Sequence, residues 1–243
     1  MTRLLGLECA DMDATEAAAW LAARGAEAPF GYVVTPNADH FVRLSRDPEL
    51  AAVYRGATLR LLDSRVVAAA ARLCALPAPP VAPGSDLTER LLAAYVGPAD
   101  ALTVIGMPEP VVRRVAARFG LPMPAHHLPP MGLAQRPDAM RAAVAFVLAH
   151  PARFVFLAVG SPQQERLAAA IAATGQARGT ALCIGASLAF LAGAERRAPR
   201  WMQRIGAEWL FRLLHAPRRL GRRYLWDSPR VLALLWRQRV IRR

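Results

Sequence analysis

The stretch that decides the fold is VFLAVGSPQQE, residues 155–165. Its first five residues are apolar without interruption, which is typical of a strand buried on both faces. Gly160 ends the strand, and Ser161 followed by Pro162 predicts the start of a helix, because serine caps helices and proline suits the first turn. A strand that turns directly into a helix is how α/β proteins present backbone N–H groups to a phosphate. Ser161 and Gln164 also fit a capping box, so a purely structural cap is the alternative.

Strands and helices alternate on both sides of this stretch. Apolar runs predict strands at residues 30–35, 58–62, 101–107, 154–159 and 181–184, and a short one before Pro129. Helical patterns occupy residues 13–24, about 40–55, 65–76, 86–95, 108–119, 141–149 and 163–173, and the proline-rich residues 77–84 form a loop. Strands separated by helices of about ten residues predict an α/β, Rossmann-like fold with a mainly parallel sheet flanked by helices.

Length and composition describe a globular chain with one large domain or one domain and an appendage. The chain has 243 residues, of which 54% are hydrophobic and 20% charged. No apolar run approaches the roughly 18 residues of a spanning helix, and the N-terminus lacks the apolar region of a signal peptide. Cys9, Cys74 and Cys183 are dispersed without metal-ligand spacing. They are therefore predicted to be small core residues in a reducing cytoplasm.

Positive charge is concentrated at the C-terminal end. Residues 196–243 contain fourteen arginines against Glu208 and Asp227, which gives this segment +12 of the total charge of +13. We therefore divide the chain into an α/β domain at 1–195 and a helical, Arg-rich appendage at 196–243. Arginine-rich amphipathic helices that also contain tryptophan suit an anionic membrane surface. A nucleic-acid patch and a solvated helix face packed on the domain are the alternatives.

Small and polar residues follow several of the predicted strands. Thr35 and Asn37 follow the first strand, Asp63 the second, Gly160 the strand before the decisive turn, and Gly185 the last one. Ligand sites of parallel sheets lie at the carboxyl ends of the strands, so these residues are the candidate site. The alternative for the side chains of this group is that they cap helices or form turns.

The sequence lacks the motifs of several common classes of enzyme. The chain has no G-x-G-x-x-G, no phosphate-binding loop ending in Gly-Lys, and no G-x-S-x-G of serine hydrolases. Its five histidines form no metal-binding pattern. The D-x-D pattern of Asp11 and Asp13 precedes a helix, where helix capping is favoured over metal binding.

The order of longer motifs resembles the WecG/TagA/CpsF glycosyltransferases over nearly the whole chain. These motifs are TPNADH (35–40), LLD (61–63), GSDL (84–87), G-x-P-x-Q-E (160–165), IGAS-x-x-F-x-AG (184–193), RRAPRW (196–201), GAEWLFRL (206–213) and APRRLGRRY (216–224). The resemblance implies transfer of a sugar from a UDP-sugar to a polyprenyl-diphosphate-linked sugar, with inversion and without a metal or other cofactor. It also implies work at the cytoplasmic face of the membrane in surface polysaccharide synthesis. A homo-oligomer is compatible with it.

The resemblance also assigns roles to individual residues. Asp63 corresponds to the proposed catalytic base, Thr35 and Asn37 to the sugar pocket, and Gln164 to the catalytic group. The donor-binding group comprises Gly160, Glu165, Gly185, Arg197, Arg212, Arg218, Arg219, Arg222 and Arg223. The resemblance implies that these arginines, which belong to the C-terminal appendage, close the site and contact the lipid diphosphate. Arg218, Arg219, Arg222 and Arg223 also fall on one arc of a helical wheel.

This chain departs from the family pattern at three places. Leu62-Asp63-Ser64 replaces A-D-G, the arginine expected just before Gly84 is missing, and Ala189 stands where an aspartate is common. The resemblance therefore leaves the donor open among N-acetylmannosamine-type sugars, glucose and related sugars. A non-catalytic nucleotide-sugar-binding module and a nucleic-acid-binding protein remain the alternatives to an enzyme.

Overall fold

The structure, a computed structural model, describes residues 1–195, 198–199, 202, 207–215 and 229–241. Its strands are β1 (Thr2–Leu4), β2 (Leu7–Cys9), β3 (Gly31–Val34), β4 (Leu59–Arg60), β5 (Leu102–Gly106), β6 (Ala125–His127), β7 (Phe154–Ala158) and β8 (Thr180–Cys183). The helices of the first 195 residues are α1 (Ala14–Ala22), α2 (Ala38–Leu44), α3 (Pro48–Gly56), α4 (Arg65–Leu73), α5 (Gly84–Ala94), α6 (Glu109–Arg118), α7 (Pro137–Ala149), α8 (Gln163–Ala173) and α9 (Ser187–Leu191). A 3-10 turn covers Leu133–Gln135, and two further helices span Glu208–His215 and Arg230–Ile241.

A six-stranded sheet forms the centre of the molecule, with strand order β4-β3-β8-β7-β5-β6. Every described pairing in it is parallel. Parallel neighbours require crossover connections, which the intervening helices supply. The predicted α/β, Rossmann-like class is confirmed, including the short strand β6 that precedes Pro129.

Two hydrophobic cores cover the two faces of this sheet. Side chains alternate along β7, where Val155 and Leu157 belong to one core and Phe154 and Phe156 to the other. The first core is closed by α2, α3, α4, α7 and α8, and the second by α1, α5, α6 and α9. Because both faces are covered, the central strand β7 is apolar and buried throughout, as its sequence indicated.

Two terminal elements pack at the edge of the first core. The strands β1 and β2 form an antiparallel hairpin that the sequence analysis did not predict. The helix Arg230–Ile241 packs on α2 and α4, burying Val231 and Leu235. Its Gln238 side chain accepts a hydrogen bond from the backbone N–H of Leu5 at 2.7 Å. None of the described helices combines the length and the apolar character needed to cross a bilayer.

Some predicted boundaries are wrong for identifiable reasons. The helical stretch about 40–55 is two helices, because Asp47 caps a new helix that begins at Pro48. The predicted strand 58–62 pairs regularly only at Leu59–Arg60, beyond which Leu62 forms a single bridge to Val81 within the predicted loop. The helix predicted from residue 141 begins at Pro137, since proline is well tolerated in a first turn.

Two predicted helix caps are also wrong. Helix α5 was predicted to begin at residue 86, where Ser85 and Asp86 are suited to cap it, but it begins at Gly84 and its N-cap residue, Pro83, provides no side-chain cap. Helix α8 spans Gln163–Ala173 as predicted, but it has no side-chain cap, so the predicted capping by Ser161 does not occur. The capping-box interpretation of Ser161 and Gln164 is therefore excluded.

Candidate active site

The strand order brings four predicted site segments to one edge of the sheet. The strands β4, β3, β8 and β7 are consecutive neighbours, and all point the same way. Asp63 follows β4, Thr35 follows β3, Gly185 follows β8 and Gly160 follows β7. Residues as far apart in sequence as Thr35 and Gly185, more than half of the chain length, therefore lie on adjacent strand ends, where parallel sheets bind ligands.

Asp63, Thr35 and Gly84 form the part of the edge next to β3 and β4. The half-buried Asp63 carboxylate accepts a hydrogen bond from the Gly84 N–H, with 3.3 Å between Oδ2 and N. Gly84 is the first residue of α5, so the carboxylate lies at the positive end of a helix. A Cβ at Gly84 would lie 3.0 Å from the Thr35 hydroxyl oxygen, which shows how closely Thr35 approaches this turn.

Asn37 has a structural role in the same region. Its side-chain oxygen accepts hydrogen bonds from the backbone N–H groups of Asp39 and His40, at 3.1 and 3.3 Å. These bonds cap α2. The capping interpretation of Asn37 is confirmed, and the cap fixes the chain directly after β3 at the candidate site.

The turn at Gly160 leads from β7 into α8. Gly160 has φ +78°, a conformation that glycine adopts without steric cost, and its carbonyl accepts a hydrogen bond from the Gln164 N–H. Gln164 is 4% exposed, and its Oε1 accepts a hydrogen bond from the Gly185 N–H at 2.9 Å. The side chain of Gln164 thus ties the start of α8 to the end of β8.

Glu165 lies below the surface of the site. It is only 1% exposed, and its Oε1 accepts hydrogen bonds from the Tyr54 hydroxyl at 3.1 Å and the Gln164 amide at 3.0 Å. Burial raises the pKa of the Glu165 carboxyl. The two hydrogen bonds lower the pKa by less than burial raises it, so the pKa stays above its ordinary value. The structure places Glu165 with the core, next to the residue that links the two turns.

Sequence analysis missed three residues around this turn. Tyr54 and His40 are buried and hydrogen-bonded to each other, and Arg43 donates to the Ser161 hydroxyl over 3.4 Å while pairing with Asp39. A usable signal was present, because Tyr54 follows Leu50 by one helical turn and so belongs to its buried face. A buried polar side chain on such a face indicates a polar partner, but the sequence does not identify it.

The D-x-D residues serve structural roles. Asp13 caps α1 in a reciprocal capping box with Glu16, and Asp11 pairs with the N-terminal ammonium group. The predicted capping role of this pattern is confirmed for Asp13. Throughout the described residues, no group of three or more histidine, cysteine and acidic side chains is placed to hold a metal ion.

The predicted arginines of the appendage fall largely outside the structure's description. Arg197, Arg218, Arg219, Arg222 and Arg223 lie outside the described residues. Arg212 belongs to the helix Glu208–His215, but its side chain is also outside the description. The predicted roles of these residues in donor binding stay predictions.

Comparison with known proteins decides the family. The model of the glycosyl transferase WecG/TagA/CpsF family matches residues 2–243. The chain is a WecG/TagA/CpsF-family glycosyltransferase. The match includes the basic C-terminal segment as well as the sheet, so both parts of this glycosyltransferase belong to the family pattern. Family membership establishes a transferase of glycosyl groups, and members in general combine a nucleotide-sugar donor with a lipid-linked acceptor.

Proposed function

We propose that this glycosyltransferase moves a sugar from a UDP-sugar to a polyprenyl-diphosphate-linked sugar, with inversion at the anomeric carbon and without a bound metal. The observation that carries the proposal is the carboxylate of Asp63, held by the Gly84 N–H beside Thr35 at the carboxyl edge of the sheet. Such a reaction needs one oriented carboxylate that removes a proton from the acceptor hydroxyl.

The position of Asp63 suits a general base. Its carboxylate lies at the start of α5, where the Gly84 N–H donates to Oδ2. The same hydrogen bond fixes one carboxylate oxygen. Inversion follows if the acceptor hydroxyl, with its proton removed by Asp63, attacks the anomeric carbon opposite the departing diphosphate.

The start of α8 suits the diphosphate of the donor. The N-terminus of an eleven-residue helix follows Gly160, and backbone N–H groups at such a position favour bound anions. Gly185 lies beside this turn through its hydrogen bond to Gln164, and Arg43 reaches Ser161 from α2. A departing UDP gains negative charge, which N–H dipoles and arginine stabilise without a metal.

The appendage supplies the remaining positive charge in this proposal. Its residues 196–243 carry +12, and the family resemblance assigns contacts with the donor or the lipid diphosphate to six of its arginines. They are Arg197, Arg212, Arg218, Arg219, Arg222 and Arg223. Closure of the site by this segment would keep water from the donor during transfer.

The helix Arg230–Ile241 supports a location on the inner membrane surface. Leu235 is buried against the body, whereas Leu232, Trp236 and Val240 are between 52% and 58% exposed and recur every four residues. Such spacing makes one apolar stripe along a helix. An apolar stripe flanked by arginines suits the interface of an anionic bilayer, where the lipid-linked acceptor is anchored.

A transfer assay tests the proposal. A panel of UDP-sugars is incubated with the full-length protein and a short-chain polyprenyl-diphosphate-linked sugar, and product is identified by mass spectrometry with its anomeric configuration from NMR. We expect one donor to react with inversion, in EDTA as in buffer. Stabilisation of the protein by UDP without transfer to any acceptor would favour a binding module instead. Loss of activity in EDTA that Mn²⁺ or Mg²⁺ restores would overturn metal independence.

A further inference from the structure

A buried hydrogen-bonded group lies under the strand ends and has no part in the mechanism above. It consists of Glu165, Tyr54 and His40, which are 1%, 0% and 8% exposed. The Tyr54 hydroxyl donates to Glu165 Oε1, and its oxygen lies 3.1 Å from His40 Nδ1. Because the single hydroxyl hydrogen of Tyr54 points to Glu165, His40 must supply the hydrogen of the second bond.

Glu165 connects this group to the site through Gln164. The Gly185 N–H can only donate, so the atom of the Gln164 amide that it contacts must be the oxygen. The amide nitrogen of Gln164 then faces Glu165 Oε1 and donates to it. Both contacts require the same assignment of the Gln164 amide, with its oxygen towards Gly185 and its nitrogen towards Glu165.

The surroundings of Glu165 favour a neutral carboxyl. None of the ion pairs in the described part of the chain involves Glu165. Its buried Oε2 has no partner within hydrogen-bond distance there, and the nearby Ser161 hydroxyl opposes the rise of the Glu165 pKa without cancelling it. The titratable groups around it are Tyr54 from α3, Cys183 from β8 and, behind Tyr54, His40 from α2. Burial raises the pKa values of Tyr54 and Cys183, so both are neutral, and burial raises that of Glu165 as well. A carboxylate buried without a cation is costly, whereas a neutral carboxyl with its proton on Oε2 still accepts two hydrogen bonds through Oε1.

We propose that Glu165 is a positioning residue that acts through Gln164. Held by Tyr54, its neutral carboxyl fixes the Gln164 amide, and the amide fixes the Gly185 turn relative to the start of α8. This inference rests on the proposed function, in which those two turns surround the donor diphosphate. It gives Glu165 no contact with the substrate, unlike the donor-binding role implied by resemblance.

Four variants of the full-length chain separate this role from others. Glu165→Gln keeps a carbonyl oxygen that accepts both hydrogen bonds, whereas Glu165→Met keeps the size and removes the acceptor. Tyr54→Phe removes one donor. The control is Gln163→Met. Gln163 lies in the same turn of α8 as Glu165, and the substitution removes its hydrogen bonds to the backbone of Ala134 and Val159.

The first readout is hydrogen exchange of the Gly185 amide, followed by NMR in the absence of substrate. We expect unchanged protection in Glu165→Gln and in the control, and faster exchange in Glu165→Met and Tyr54→Phe. The second readout is kcat and KM for the donor. We expect kcat to fall by about 10-fold to 10²-fold in Glu165→Met, as for a misplaced binding group, and to stay within about threefold of wild type in Glu165→Gln.

The two readouts fail in different ways. If the exchange rates follow the expected order but even the wild type transfers no sugar, the proposed function fails and the positioning role stands. The positioning role is overturned if Gly185 exchange is the same in all variants. It is also overturned if Glu165→Gln loses transfer while the Gly185 amide stays protected, because the reaction would then need the carboxylate itself. Should Glu165→Met fail to fold, Glu165→Gln and Tyr54→Phe still decide the outcome.

Discussion

The carboxylate of Asp63 and the backbone N–H of Gly84 are hydrogen-bonded, with 3.3 Å between Oδ2 and N. The bond joins the end of β4 to the start of α5. The backbone of Asp63 is held as well as its side chain, since its own N–H donates to the Pro36 carbonyl at 2.9 Å. A carboxylate held in this way can accept a proton from a bound hydroxyl without first having to be oriented.

Replacing Asp63 by asparagine should abolish the proposed transfer and preserve UDP binding. Asparagine keeps the size and an oxygen for Gly84, but it cannot act as the base, whose loss typically costs about 10² to 10⁴ in rate. Steady-state kinetics and calorimetric titration with UDP measure the two properties. The matched control is Asp100→Asn, because Asp100 pairs with Arg153 at the opposite, amino edge of the sheet. Near-normal turnover of Asp63→Asn would rule out the base assignment.

The raised pKa of Glu165 predicts a specific pH dependence of stability. The unfolded chain releases this proton near the ordinary value of 4.5, while the native state still holds it. Between the two pKa values the native state binds more protons, so the free energy of unfolding falls as pH rises, by at most about 1.4 kcal/mol per pH unit.

The difference between wild type and Glu165→Gln isolates this effect. Urea unfolding at a series of pH values above 4.5 should show the stability advantage of wild type over the variant decreasing with pH. A difference that increases with pH would mean that the native carboxyl is ionised, as a group with a lowered pKa would be.

Gly179 should tolerate alanine much less well than Gly175. Both have positive φ, +79° and +67°, but a Cβ at Gly179 would lie 2.2 Å from the Ala152 carbonyl oxygen, whereas none of the described atoms lies within 4 Å at Gly175. Alanine in the left-handed region costs about 1–2 kcal/mol, and the clash adds about 1–3 kcal/mol. Equal losses of unfolding free energy in the two variants would contradict the close approach.

The exposed stripe of the helix Arg230–Ile241 should bind anionic vesicles. Replacing Leu232 and Trp236 together by serine should weaken sedimentation with phosphatidylglycerol vesicles by about 10-fold or more and leave the melting temperature nearly unchanged, because both side chains are exposed. Leu235→Ala is the matched variant on the buried side, and it should cost about 2–5 kcal/mol of stability. Unchanged vesicle binding in the double variant would show that this stripe does not contact the membrane surface.

The helix Arg230–Ile241 packs on the first core, so deleting the appendage would also disturb the fold. Removing all residues after Pro199 deletes Val231 and Leu235 from the core and Gln238 from its hydrogen bond to Leu5. Lost transfer in such a truncation would therefore not distinguish site closure from loss of packing. Replacing Arg218, Arg219, Arg222 and Arg223 by glutamine is the better test, since it changes charge alone in the proposed contacts with phosphate.

Sequence by itself determined the class of fold, the strand-to-helix turn at Gly160 and the residues at the strand ends. These features follow from local chemistry: apolar runs predict buried strands, and glycine permits the turn. The resemblance carried by the motifs also identified the family. Helix boundaries were predicted less well, because capping depends on single hydrogen bonds, such as the one that the Asp47 side chain accepts from the Leu50 N–H.

Only the tertiary structure decided which strand ends are neighbours and which polar side chains meet beneath them. The strand order sets β8 between β3 and β7, so Gly185 reaches Gln164, 21 residues away in sequence. Tyr54 reaches Glu165 across 111 residues. Such pairs leave no periodic signal, because a hydrogen bond between distant segments depends on how the sheet and its helices pack, and the sequence around each partner is compatible with many other packings.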